Sequence, residues 1–141
     1  MSRSSQARIV GTFVTIVVTA AVVAGILLLG SPDEERARRL DQRRVQDLSG
    51  IARALDLYWT HNNSNLPASL EVLRGDTGAN ISITDPETDA SYGFRLLDGD
   101  RYELCAAFAG ESADSGRGVD EGFWSHRAGR QCFKRAAAEV R

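Results

Sequence analysis

The sequence predicts an α+β fold, with a membrane-spanning helix and a long amphipathic helix laid on a small antiparallel β-meander. Three observations predict it. Ile9 to Leu29, "IVGTFVTIVVTAAVVAGILLL", is a run of twenty-one residues without a charge. Leu48, Ile51, Leu55 and Tyr58, with Ala52 and Trp59 beside them, recur at spacings of three and four and make one apolar helical stripe. From Ile81 onward the apolar period changes to two, which is the period of half-buried strands.

A helix needs roughly 20 apolar residues to cross the hydrocarbon layer, so Ile9–Leu29 fits one span, preceded by a short basic tail over residues 1–8. A cleaved secretory signal has similar ends, but its apolar region runs about 7–15 residues, and no Ala-x-Ala-like site follows "ILLLG". The run is therefore read as an uncleaved anchor. Arg36, Arg38, Arg39, Arg43 and Arg44 follow it closely. They do not set its orientation, because the positive-inside count applies to short loops and a long domain crosses regardless of charge.

The chain has 141 residues, seventeen basic and nineteen acidic, which is room for one domain of ordinary size. Residues 1–30 carry only Arg3 and Arg8, so the remainder is net acidic and a poor match to phosphate backbones. No nucleic-acid partner is expected.

"SPDEE" reads as a helix start. Ser31 caps, Pro32 takes the first helical position, and acids fill the first turn, where the helix dipole favours them. The helix then runs to about Trp59. Residues 30–44 are mostly charged and are read as a solvated helical stalk, with the packed domain over residues 45–141. Pro67 is expected to start a short second helix whose Leu66, Leu70 and Leu73 tuck against the first, with residues 74–80 as a loop. "RGD" within that loop is read as a chance triplet. "ISIT" is expected as a short strand and "DPETD" as a turn. "SYGFRLL" and "RYELCAAF" are the arms of a hairpin joined by "DGD", and a last strand closes around "RQCFKR". Tyr92, Phe94 and Leu96 share one face of the first arm. Tyr102, Leu104, Ala106 and Phe108 share one face of the second.

The two cysteines are Cys105 and Cys132. Alternation puts Cys105 opposite the Tyr102–Phe108 row and Cys132 opposite Phe133, so both fall on the outer face of the sheet, where neighbouring strands can join them. A disulfide would close the 106–131 loop, rich in Gly, Ser and Asp, and the chain-entropy gain is roughly 3–4 kcal/mol. A zinc site would have to recruit His126 and His61, without the close spacing structural zinc uses. A redox pair would want Cys-x-x-Cys or a thiol at a helix start. Two separate reduced thiols are the remaining alternative. The disulfide is the expected state, and it places the domain outside the reducing cytoplasm.

No Gly-rich phosphate loop, nucleophile elbow or zinc-protease helix motif occurs, and no cofactor, metal or catalytic residue is assigned. Glu111, Asp114, Asp120 and Glu121 offer oxygen ligands for calcium, but not at a calcium-loop spacing, so a hydrated loop is the simpler reading. "FWSHRAGR" gathers Phe123, Trp124, His126 and Arg130. Aromatics and arginine dominate binding hot spots, so these four are the candidate partner-binding residues. The competing expectation is that Phe123 and Trp124 anchor the loop onto the sheet while His126 caps a turn.

Taken together, the apolar helix continuing into "VQDLSGIARALDLYWTHNNSNLPASLEVL", followed by "DPETDASYGFRLLDGDRYELCAAF", resembles the pseudopilins of type II secretion systems and their type IV pilin relatives. Shared with them are the Leu-Pro-x-Ser-Leu stretch at Leu66–Leu70, the Asp85–Pro86 turn, and hairpin tyrosines at Tyr92 and Tyr102. The resemblance covers most of residues 9–108. It implies a pilin-like fold, a single-pass inner-membrane protein and a structural, non-enzymatic role in secretion or envelope assembly. It does not extend to the prepilin peptidase site and the glutamate that follows it, since the fifth residue after Gly11 is Ile16. The expected partners are the lipid bilayer, through residues 9–29, and a protein partner or a second copy of the chain. The alternative function is an anchored extracytoplasmic binding module that uses the stapled 106–131 loop.

Overall fold

A computed structural model describes residues 3–29, 31–78, 80–112 and 122–140, which fall into two compact units, Met1–Arg36 and Ala37–Arg141. The first unit holds helix α1, Arg3–Leu29. Its residues Arg8–Ile26 form a helix long and apolar enough to cross a membrane, with none of that window buried within the protein. Three threonine hydroxyls turn back on the helix: Thr12 donates to the Arg8 carbonyl at 2.9 Å, Thr15 to Gly11 at 2.9 Å and Thr19 to Thr15 at 2.8 Å. Such bonds satisfy the hydroxyls without water, as an apolar surrounding requires. Helix starts at Arg3, so most of the expected basic tail is a turn and more of α1.

Helix α2 spans Pro32–His61. The Ser31 hydroxyl accepts the Glu34 amide at 3.2 Å, and Asp33, Glu34 and Glu35 occupy the first turn, as the capping pattern demands. In the second unit Leu48, Ile51, Ala52 and Leu55 are buried in one cluster with Tyr92, Tyr102, Leu104, Ala106, Phe108 and Phe133. Burying an apolar side chain of this size is worth about 1.5–3 kcal/mol, so this stripe is a principal reason α2 stays on the sheet.

Helix α3 is Leu70–Thr77, capped by the Ser69 hydroxyl on the Val72 amide and ended by Gly78 at φ +57°. That left-handed conformation favours glycine. Leu70 and Leu73 are buried as expected, and Pro67 is buried ahead of the helix rather than starting it. Arg74, Gly75 and Asp76, expected in a loop, belong to α3. "ISIT" is not a strand. It contributes only a bridge from Thr84 to Ser91, with Ile83 buried.

Three antiparallel strands follow, β1 Gly93–Leu96, β2 Arg101–Phe108 and β3 Gly129–Ala136, in the order β1-β2-β3. The turn between β1 and β2 carries Gly99 at φ +66°. The inner row of β2 is buried throughout. The β1 row is not: burial fades from Tyr92 through Phe94 to Leu96, which is 43% exposed, because β1 is a short edge strand whose hairpin end runs past the core.

Candidate functional site

Continuing the α2 stripe one turn toward its start leads from Leu48 to Arg44 and Asp41. Both are buried, although the sequence places them in a solvated stalk. Their burial is stabilised by reciprocal charge. Arg44 grips Asp85 with two nitrogens, Nε to Oδ2 and Nη2 to Oδ1 at 3.1 Å, reaches Glu87 at 2.7 Å and touches Asp41 at 2.8 Å. Asp41 in turn accepts the amides of Ala109 at 2.9 Å and Gly110 at 2.8 Å. Asp85 accepts the amides of Glu87 at 2.9 Å and Thr88 at 3.0 Å. One guanidinium thereby joins α2 to the "DPETD" turn, and its neighbour Asp41 joins α2 to the end of β2.

The electrostatics follow from that geometry. The Arg44 guanidinium, through its hydrogen bonds, holds the Asp85 carboxyl down from 3.8 to about 2. The Asp85 carboxylate does the reverse, stabilising the charged form of Arg44. Beside them the Tyr92 hydroxyl donates to Asp47 at 3.0 Å; burial first, and that carboxylate second, push it up. Of these groups, Asp41 and Arg44 lie on an α2 face expected to be solvated. The signal for them was present: residues 41, 44, 48, 51 and 55 keep helical spacing, and the stripe does not stop at Val45.

Within the sheet, Cys105 and Cys132 are directly opposed in the ladder and joined, with an S–S distance of 2.07 Å. The bond lies on the outer face of the sheet, as alternation predicts, with Cys105 buried and Cys132 exposed. Glu103 lies close by: its carboxylate and the two sulfurs fall within 4.8 Å of one another. That is the one metal-capable group among the described residues, and it includes neither histidine. With the sulfurs bonded to each other, it offers a single carboxylate rather than thiolate ligands, and Glu103 is already paired with Arg95 at 3.0 Å. Gly93 completes the row beside Cys105. A Cβ there would meet the Cys105 Cβ at 2.9 Å, so glycine makes room for the bridge.

The expected partner-binding cluster is divided by the fold. Trp124 and His126 are buried, at 4% and 7% exposure, and Trp124 belongs to the hydrophobic core. Trp124 meets Phe133 edge-on at 5.0 Å, and the His126 ring stacks on Phe108 at 3.7 Å. The His126 ring nitrogen Nδ1 lies 3.0 Å from the Trp124 carbonyl. Phe123 is 39% exposed and touches Trp124 edge-on at 4.9 Å. Arg130 is exposed on β3. Ser112 closes the base of the loop, its amide donating to the His126 carbonyl at 2.9 Å and its hydroxyl accepting the His126 amide at 3.1 Å.

An open cleft of about 480 Å³ lies against this corner, lined by Glu111, Ser125, His126, Arg127 and Gln131. Two buried polar atoms lack a protein partner among the described residues, His126 Nε2 and the Tyr102 hydroxyl. Of the acids considered for calcium, Glu111 lines this cleft, while Asp114, Asp120 and Glu121 lie outside the described residues. No family model, no curated protein and no solved structure matches the chain.

Proposed function

We propose that this chain is a single-pass, membrane-anchored structural and interaction subunit of pilin-like build, non-enzymatic, with its C-terminal domain extracytoplasmic and serving secretion or envelope assembly. The observation that carries this is the presence, in one chain, of a lipid-length apolar helix and a disulfide-stapled domain in which a long helix covers an antiparallel meander. The disulfide supports an oxidising compartment. The buried charges support an architectural role. Asp41, Arg44, Asp56 and Asp85 direct their bonds at other segments of the domain: Asp56 accepts the Ala138 amide at 3.0 Å and pairs with Arg135 at 3.5 Å.

A second use of the same domain, as a binding module built on the stapled loop, is favoured by the open cleft beside His126. Its recognition groups would then be Arg127 and Gln131, not Trp124.

The test is made in the membranes of a bacterial host. Tagged at its C-terminus, the chain is expected to stay in carbonate-washed membranes and to lose the tag to protease added to spheroplasts. Photo-crosslinkers at the exposed Leu57 and Val72 are expected to trap discrete protein adducts. A tag protected until the membrane is lysed, or no adduct from any exposed position, contradicts the proposal.

A further inference from the structure

β3 is an edge strand, and its far side pairs with nothing among the described residues. The phase of the ladder decides which backbone groups face that side. The Ala137 amide donates to the Asp100 carbonyl at 2.9 Å, and the Leu97 amide donates to the Arg101 carbonyl at 2.8 Å. Arg101 therefore faces β1 and Asp100 faces β3. Hydrogen-bonded pairs across β2 and β3 are then Tyr102 with Arg135, Leu104 with Phe133 and Ala106 with Gln131, in the register of the sheet. Cys105 and Cys132, with Cα atoms 4.1 Å apart, have the close spacing of a pair without mutual hydrogen bonds. By that alternation, the N–H and C=O of Arg130, Cys132, Lys134 and Ala136 all point to the outer edge.

The side chains at these four positions are exposed as well. Arg130 and Lys134 make no ion pair among the described residues. By contrast, Arg135 on the opposite face is paired with Asp56 and Arg95 with Glu103. Beyond the strand, the Ala138 amide bonds to Asp56 and the Val140 amide to Thr60, which takes the chain onto α2 and away from the edge. Among the described residues, the result is a strand edge of four open donor–acceptor positions with two cations four residues apart that form no ion pair, Lys134 opposite Glu103 in the ladder and the Arg130 guanidinium 3.4 Å from where a Cβ of Gly93 would stand, on a domain that is otherwise net acidic.

A second copy of the chain is a poor occupant. Antiparallel pairing of two β3 strands through their middles would bring Arg130 and Lys134 of one copy beside those of the other, and like charges across a ladder are destabilising. We propose that the outer edge of β3 takes up an extended acidic segment of another protein as a fourth strand. Main-chain hydrogen bonds supply the affinity and two carboxylates, four residues apart and facing Arg130 and Lys134, supply the selectivity. A small residue between them would lie over the disulfide. This gives the partner chemistry for the interaction role proposed above, while the edge itself follows from the ladder and not from the membrane address. Basic residues on an edge also deter strand association, and under that role alone the edge binds no peptide.

The experiment uses the full chain in nanodiscs of zwitterionic lipid, with residue-resolved amide exchange as the readout. The probes are two short blocked peptides of equal length, one built on Glu-Val-Ala-Val-Glu and the other on Lys-Val-Ala-Val-Lys. Without peptide, the amides of 130, 132, 134 and 136 exchange fast and those of 131, 133 and 135 slowly. The glutamate peptide is expected to slow the first set by roughly tenfold or more at saturation, in a salt-sensitive way, and the lysine peptide to leave it unchanged. Arg130→Glu combined with Lys134→Glu should invert that preference. Arg130→Gln with Lys134→Gln should weaken the glutamate peptide roughly tenfold; intact mass confirms that the disulfide has formed in each variant. Protection by neither peptide, or by both equally, overturns the proposal. So does protection that grows with protein concentration before any peptide is added, which would signal a second copy. The membrane-topology experiment can fail or succeed independently of all these outcomes.

Discussion

Arg44 lies in a hydrophobic stripe with its guanidinium shared among Asp41, Asp85 and Glu87, so its removal strands buried carboxylates rather than deleting one contact. Breaking a buried pair from one side costs about 3–5 kcal/mol, and Arg44→Met is expected to lower unfolding stability by that amount in denaturant titration. Replacing Arg43, which is exposed and pairs with Asp47 at 3.5 Å, should change stability by less than about 1 kcal/mol. The same cluster sets a pH dependence. The folded-state value for Asp85 is depressed from 3.8 to about 2. Its contribution is therefore complete above about pH 4 and lost as pH falls toward 2, on the order of 2 kcal/mol. Asp85→Asn should flatten that limb of the stability–pH curve; an unchanged limb would show that Asp85 is not its source. Neither Asp41 nor Arg44 was legible as buried, because charged residues on a helix are normally solvated. The only sign was their phase with Leu48, Ile51 and Leu55.

The elements divide by how much of their cause is local. α2, β2 and β3 were legible because each has a periodic apolar row that meets another: Leu48 to Leu55 on the helix, Tyr102 to Phe108 on β2, Phe133 on β3. The outer-face position of both cysteines followed from the same alternation. "ISIT" alternates equally well, yet the backbone there closes on a turn, with the Asp85 amide donating to Ala90 at 2.8 Å and Tyr92 to Ile83 at 2.9 Å. Among the described residues no neighbouring strand extends that pair into a ladder. α3 ran past its expected end because the Ser69 cap and Gly78 set its limits, outweighing the weak helix propensity of Gly75. "FWSH" could not be divided by spacing alone, since a core aromatic and an exposed one look alike in sequence. Trp124→Ala should cost about 3–5 kcal/mol and Phe123→Ala clearly less, measured by thermal unfolding; equal losses would contradict the division drawn here. Gly93→Val drives a Cβ into Cys105, 2.9 Å away, and is expected to destabilise the sheet by about 1–3 kcal/mol even though valine suits strands elsewhere.

For the molecule as a whole, the disulfide and the apolar helix constrain each other's interpretation. The helix has the length and composition of a membrane span, and the disulfide has the chemistry of an oxidising compartment. Reduction of Cys105–Cys132 should lower domain stability by roughly 3–4 kcal/mol without dispersing the core, because the bond lies outside the Tyr102–Phe133 layer. The proposed pilin-like role gives an anchored, stapled domain a use, and the proposed β3 edge would give a partner a place to join it. All of this depends on the state of two sulfurs in the membrane-inserted chain. The most direct measurement is the intact mass of protein extracted from membranes under non-reducing conditions, with free thiols blocked at lysis. The account predicts a chain lighter by two hydrogens that carries no alkyl label. A labelled, fully reduced chain would contradict both the extracytoplasmic address and the stapled domain.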